Sequence, residues 1–158
     1  MIIHDARFSD LTFVGRWLCQ ADKQELAVTR DVSNVERLAL DAFRSPIKKI
    51  AWHGMFPVMA FGALKSPDED DTAIVWGFKS EEGWRAIRAV TKYIQKTMIP
   101  ELRAVGVRHA VCLVHPSNRL SHKWLLHLGF GVLGREEVAA HGRSFRCLPR
   151  RYRPLRHW

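Results

Sequence analysis

Residues 72–114 read TAIVWGFKSEEGWRAIRAVTKYIQKTMIPELRAVGVRHAVCLV, and a change of hydrophobic period inside them decides the fold. Residues 72–78 are rich in Val, Ile, Trp and Phe, as a strand requires. After Gly83 the period lengthens from two to 3.6. Trp84, Ile87, Ala89, Val90, Ile94 and Met98 mark one long helix that ends near Pro100 or shortly beyond. Gly106 punctuates. Residues 107–114 are an apolar run apart from Arg108 and His109 near its start, the pattern of a strand buried on both faces. Strand, long helix and buried strand in that order make a crossover between parallel neighbours.

Upstream, residues 47–52 and 58–64 are two further strand-like runs, separated by the turn His53-Gly54. With residues 72–78 they form an antiparallel meander. The acidic run Asp68-Glu69-Asp70-Asp71 reads as a solvated hairpin loop, since it lacks the Gly and Glu of a calcium loop. Ile2-Ile3 opens a short strand. Ser9 or Asp10 caps a helix whose apolar face is Phe13, Val14, Trp17 and Leu18. Ser33-Asn34-Val35-Glu36 is a capping box for a second helix, with Val35, Leu38, Ala39, Ala42 and Phe43 as its buried stripe and Ser45-Pro46 as its stop. Downstream, His115-Pro116-Ser117-Asn118 is a turn, and residues 119–128 are an amphipathic helix closed by Gly129. Residues 130–138 and 143–148 form a last hairpin around His141-Gly142. The order is β-α-α-β-β-β-α-β-α-β-β. The fold class is α/β (α+β), with a mixed sheet of about seven strands.

The chain has 158 residues, 47% of them hydrophobic and 26% charged, which excludes a disordered or fibrous chain. A chain this long buries roughly two thirds of its unfolded surface and needs no disulfide or metal to hold a core. No run approaches the ~18 apolar residues of a membrane helix, and the start MIIHDARFSD has no secretory pattern. Three cysteines, Cys19, Cys112 and Cys147, have neither zinc spacing nor an even count, so a reducing cytoplasm is expected. The net charge of +9 is unevenly placed. Residues 1–99 carry 14 Lys/Arg against 13 Asp/Glu, whereas residues 100–158 carry 11 against 3. Residues 1–148 are expected to form one domain, followed by a basic, aromatic tail at residues 149–158. The tail residues Arg150, Arg151, Tyr152, Arg153, Arg156 and Trp158 can bind an acidic protein surface or phosphates; a solvated tail that only aids solubility is the plainer alternative.

This order of elements resembles the GNAT fold, that of the acetyl-CoA-dependent N-acetyltransferases. Asn118, Ser121, Leu125, Gly129 and Phe130 fall on the positions of a family motif (Asn, a small residue, Tyr, then Gly-Phe). The stretch Ala51-Trp52 through Pro57-Val58-Met59-Ala60-Phe61-Gly62 is similar to a "W…G.P.A.FG" hairpin of GNAT-like proteins encoded by tailed phages. Some of those belong to virion assembly or travel in the particle. The resemblance implies a splayed central parallel pair holding acetyl-CoA, and a setting in the host cytoplasm or in the virion.

It also implies positions for a cofactor site: Phe78, Lys79, Gly83, Trp84, Arg85 and Asn118. In the family a glycine-rich loop and the next helix's N-terminus hold the pyrophosphate through backbone N–H groups. Here the corresponding stretch is Ser80-Glu81-Glu82-Gly83-Trp84-Arg85, with two carboxylates where a diphosphate would sit. The same acids suit a helix start, where they complement its dipole. The family tyrosine position is Leu125, which cannot donate a proton. His115 and His122 are candidate catalytic groups, because histidine is the side chain most readily poised near neutral pH. A turn role for His115 and a helix-capping role for Asn118 are the structural alternatives. No carboxylate lies within the third or fourth strand to act as general base. Trp76 and Phe78 either fill the cofactor cleft or pack under the long helix.

Three functions compete. One is a phage-type virion structural or assembly component with a degenerate acetyl-CoA site, partnered by other proteins of the particle or by its own copies. Another is an active N-acetyltransferase acting on an amine of a small molecule or protein. The third is nucleic-acid binding through the arginine-rich tail.

Overall fold

Strand pairing from the crossover outward sets the architecture. The structure, a computed structural model, describes residues 1–29, 34–114, 118–139 and 142–149. The strands are β1 (Ile2–Asp5), β2 (Ile47–His53), β3 (Phe56–Lys65), β4 (Thr72–Lys79), β5 (His109–Val114), β6 (Phe130–Ala139) and β7 (Gly142–Pro149). They form a seven-stranded sheet in the order β1-β2-β3-β4-β5-β7-β6. β4 and β5 are parallel, as the crossover requires, and all other pairs are antiparallel.

The parallel pair is short. Thr72, Ala73 and Ile74 lie opposite His109, Ala110 and Val111, and the pairing ends there although both strands run on. Lys79 donates its N–H to Asp22 on the side away from β3, and its carbonyl accepts from Cys19. Alternate residues of a strand present their N–H and C=O to the same edge. The backbone groups of Val75 and Gly77 therefore also face the opening between β4 and β5.

Helices cover both faces. On one, α1 (Phe8–Arg16) and α3 (Val35–Phe43) pack Leu11, Val14, Leu38, Ala39 and Ala42 onto Ile50, Ala60 and Phe78. Gly15 permits the contact, since a Cβ there would sit 2.8 Å from the Val35 methyl carbon. On the other face, the crossover buries Val90, Ile94, Met98 and Leu102 against Phe61, Ala63, Ala73 and Ala110. The crossover is one helix in four segments: a 3-10 turn (Glu81–Ala86), α4 (Ile87–Tyr93), a π-helical turn (Ile94–Met98) and α5 (Ile99–Ala104). In the π turn the Ile99 N–H reaches back to the Ile94 carbonyl. The widened turn lies just before Pro100, whose ring in a regular helix would meet the carbonyl four residues earlier. The helix thus runs through Pro100 to Ala104 instead of stopping at it.

Several expectations are corrected. A helix α2 (Gln20–Thr29) stands where none was predicted, so three helices, not two, separate β1 from β2. α1 begins at Phe8. Asp10 is inside it, and its carboxylate accepts from the Arg7 N–H at 3.0 Å. Trp17 is 65% exposed and Phe43 41%, because the inward faces are held by Leu11 and Val14 and by Leu38 and Ala42. Asn34 caps α3 by accepting from the Glu36 N–H at 2.9 Å, while Ser33 lies outside the described residues. α6 (Arg119–His127) completes the layer beside the crossover. Among the described residues no helix is long and apolar enough to cross a membrane.

The Phe61-Gly62 pair of the β3 hairpin has a packing reason. A Cβ on Gly62 would collide with the Ile47 carbonyl and lie 2.5 Å from the Trp76 ring. Gly62→Ala is expected to cost about 1–3 kcal/mol, as overpacked cores do, lowering Tm by several degrees in a thermal melt; an unchanged Tm would contradict the placement of Trp76.

Candidate functional site

At the C-terminal ends of β4 and β5 four polar side chains meet. Asp22 and Glu25 come from α2, Lys79 from the last position of β4, and Asn118 from the residue before α6. Asp22 accepts the Lys79 backbone N–H at 2.9 Å and the Lys79 ammonium at 3.3 Å on each oxygen. Its Oδ1 also accepts from Asn118 Nδ2 at 3.1 Å. Asn118 Nδ2 donates in addition to Glu25 at 2.5 Å, and its Oδ1 accepts from the Ser121 N–H at 3.4 Å. The Lys79 ammonium lies 4.2 Å from the centre of the Trp84 ring. Asp22, Lys79 and Asn118 are 5%, 3% and 1% exposed. Helix α2 thereby spans from the end of β4 to the start of α6, across the mouth of the splayed pair.

The local sequence accounts for this placement. The Cys19 N–H bonds the Lys79 carbonyl at 2.8 Å, and Leu18 bridges to Ser80, so the chain enters α2 already tied to the end of β4. The Gln20 N–H donates to Glu81 at 2.9 Å, which satisfies one free donor at the start of α2. Removing an Asp and a Lys from water costs several kcal/mol per ion, offset only when geometry is good and the remaining lone pairs are filled. Asp22 meets that condition with four hydrogen bonds from two residues.

The stretch expected to hold a diphosphate is arranged otherwise. Gly83 is backed against β3 and β4: a Cβ there would collide with that of Lys79 and lie 2.9 Å from the Val58 carbonyl. The Gly83 N–H bonds the Ser80 carbonyl at 2.9 Å, and the Ser80 N–H bonds Val58 at 3.0 Å. Glu82 and Arg85 pair with each other at 2.5 Å on the surface. Two backbone donors are thus committed internally and two carboxylates stand beside them.

The remaining candidates are placed as follows. Phe78 is buried on the face of α1 and α3, stacked 5.8 Å from Trp76, so both aromatics point away from the long helix. Asn118 caps α6 and bonds α2 at once. Leu125 is buried in the core beside the crossover. His122 is half-buried on α6, its backbone N–H donating to the Asn118 carbonyl at 3.1 Å. His115 and the tail residues Arg150, Arg151, Tyr152, Arg153, Arg156 and Trp158 lie outside the described residues. Among the described residues no group of three or more His, Cys, Asp or Glu could hold a metal.

Sequence reading missed Asp22 and Glu25. Without α2 nothing brought a carboxylate to the end of β4. The one available signal was a buried lysine at the end of an otherwise apolar strand, which demands a counter-charge.

Comparison with solved structures identifies the fold. No protein-family model matches the sequence, and no curated protein matches it. The ribosomal-protein-alanine N-acetyltransferase of Brucella melitensis superposes with TM-score 0.68 at 13% identity, over 94% of this chain and 98% of that one. The ribosomal-protein-S5-alanine acetyltransferase of Vibrio fischeri gives 0.64 at 12%, over 96% and 94%. A GNAT-family acetyltransferase of Streptococcus pneumoniae gives 0.60 at 13%, over 93% and 96%. The chain has the GNAT fold.

Lys79→Met leaves Asp22 buried without its cation and is expected to cost about 3–5 kcal/mol in urea unfolding. Adding Asp22→Leu should recover part of that loss; strictly additive losses would show that the two residues are not coupled. The buried Cys19 thiol is pushed up to about 11 by burial and, next, by the Asp22 charge. Only the thiolate reacts, so Cys19 in the native protein should resist alkylation at pH 8 and react on unfolding; rapid native labelling of Cys19 would contradict its burial.

Proposed function

We propose that this chain is a GNAT-fold protein whose acetyl-CoA seat is degenerate and closed by its own helix α2, and that it serves as a structural or assembly component of a tailed-phage particle. The observation that carries the closure is the Asp22 carboxylate on the Lys79 N–H: a side chain occupies a backbone donor on the open edge of β4. The carboxylates at Glu81 and Glu82 and the leucine at the family tyrosine position support the same reading. At ~1 kcal/mol per unit-charge pair 4 Å apart in bulk water, and several-fold more when partly buried, two carboxylates disfavour a diphosphate there. The phage setting rests on the hairpin resemblance around Trp52, Pro57 and Gly62. The protein partners would engage the basic tail, whose arginines pair with acids and whose Tyr152 and Trp158 supply anchors.

Active acetyl transfer is the second reading, and two observations favour it. The backbone edge at Val75 and Gly77 faces the opening between β4 and β5. Two carboxylates, Asp22 and Glu25, stand near its mouth.

A thermal-shift titration with acetyl-CoA separates the two. A ligand at 100 times its Kd stabilises by about 2.7 kcal/mol, a shift of several degrees. The closed seat predicts no shift at millimolar acetyl-CoA and no thiol release with amine acceptors. A saturable shift accompanied by acetyl transfer would overturn the proposal.

A further inference from the structure

The segment on the solvent side of the crossover is almost free of acids. From residue 83 to residue 135 the only Asp or Glu is Glu101. On the crossover, Arg88, Lys92 and Lys96 recur every four residues, and all three are exposed. On α6, Arg119, Lys123 and His127 recur every four residues, and these are exposed too. None of the six is in an ion pair with another described residue. Side chains four apart on a helix share a face, so each helix presents a row of basic residues rising by about 6 Å per residue of the row.

Between the helices lies a groove of about 300 Å³ whose lining includes Ile87, Arg88, Thr91, Lys92, Trp124 and His127. Its geometry is fixed from within. Trp124 Nε1 donates to Thr91 Oγ1 at 2.8 Å, and Thr91 Oγ1 donates to the Ile87 carbonyl at 2.6 Å. The indole N–H is thus satisfied inside the protein, and the half-buried Trp124 forms part of the groove's wall.

We infer that this face binds a single strand of nucleic acid, with phosphates along the two stripes and a base placed against Trp124. Cations in rows that track a backbone, with an aromatic ring between them, are what a single strand needs in the absence of sequence readout. An acidic peptide would use the cations but leave the groove of Ile87, Thr91 and Trp124 unfilled. The inference is independent of the C-terminal tail and of whether the acetyl-CoA seat is closed.

The test is fluorescence anisotropy of a labelled 15-mer oligothymidine with the full-length protein. Binding is expected to weaken with salt on a log–log slope of about −0.7 per phosphate neutralised, and Arg88→Gln, Lys92→Gln and Lys123→Gln should each weaken it and flatten that slope. These residues are exposed, so the variants retain the fold. Trp124→Leu should lower affinity roughly fivefold or more, with the slope unchanged. Replacing Arg150, Arg151, Arg153 and Arg156 together by Gln should leave the effects of the helix variants in place. The inference falls if no binding is seen at low salt. It falls if binding depends on the four tail arginines and ignores Arg88, Lys92 and Lys123. It also falls if a polyglutamate of equal charge competes as well as unlabelled oligothymidine, which would assign the face to an acidic protein.

Discussion

One carboxylate holds the functional end of the molecule together. Asp22 accepts from the Lys79 backbone, the Lys79 ammonium and the Asn118 amide. Through it three elements distant in sequence (α2, β4 and the start of α6) share one buried site. Each member would be costly alone. An unpaired Lys or Asp buried there would be destabilising by several kcal/mol, and the Lys79 N–H would be an orphan on a strand edge. Together they satisfy one another, and the position of α2 follows.

The splay of the sheet gives that carboxylate its place. Parallel pairing between β4 and β5 stops after three residues, which leaves backbone groups of β4 without a neighbouring strand. In this chain the last of them is taken up by Asp22 of helix α2 on the N–H and by Cys19, the residue before that helix, on the carbonyl. Gly83, where the resemblance points to a phosphate cradle, lies against Lys79 and Val58, so its lack of a side chain serves close packing. The acids that follow β4 have partners within the chain at its surface: Glu81 accepts from the Gln20 N–H and Glu82 pairs with Arg85. Gly83, Glu81 and Glu82 thus each have a contact within the fold.

Most of the fold was legible in the sequence, for identifiable reasons. The shift of period at Gly83 and the apolar run from Val107 report burial directly, so the parallel crossover could be read. The meander was bounded by Gly and Pro. Helix α2 was not legible, because QADKQELAVT has no clear apolar stripe and the helix is tied to β4 through the polar Asp22, with Leu26 packed on the core. On the inward faces of α1 and α3, Val14, Leu38, Ala39 and Ala42 are buried as expected, while Trp17 and Phe43 are exposed. Helical spacing allows neighbouring stripes, and only the partner surface decides between Trp17 and Leu11. The π turn was likewise hidden, since apolar spacing does not report a widened turn before Pro100. Of the candidate site, Lys79 and Asn118 were found as individual residues, yet the contact between them depends on Asp22, which lies 96 positions from Asn118.

Native-state hydrogen exchange at single-amide resolution tests the latch most directly. The amides of Cys19 and Lys79 bond across the end of β4, whereas Gly77 is exposed on the open edge. A closed α2 predicts strong protection at Cys19 and Lys79, weak protection at Gly77, and the same pattern with acetyl-CoA present. Rapid exchange at Cys19 and Lys79, or protection of Gly77 appearing when acetyl-CoA is added, would contradict it.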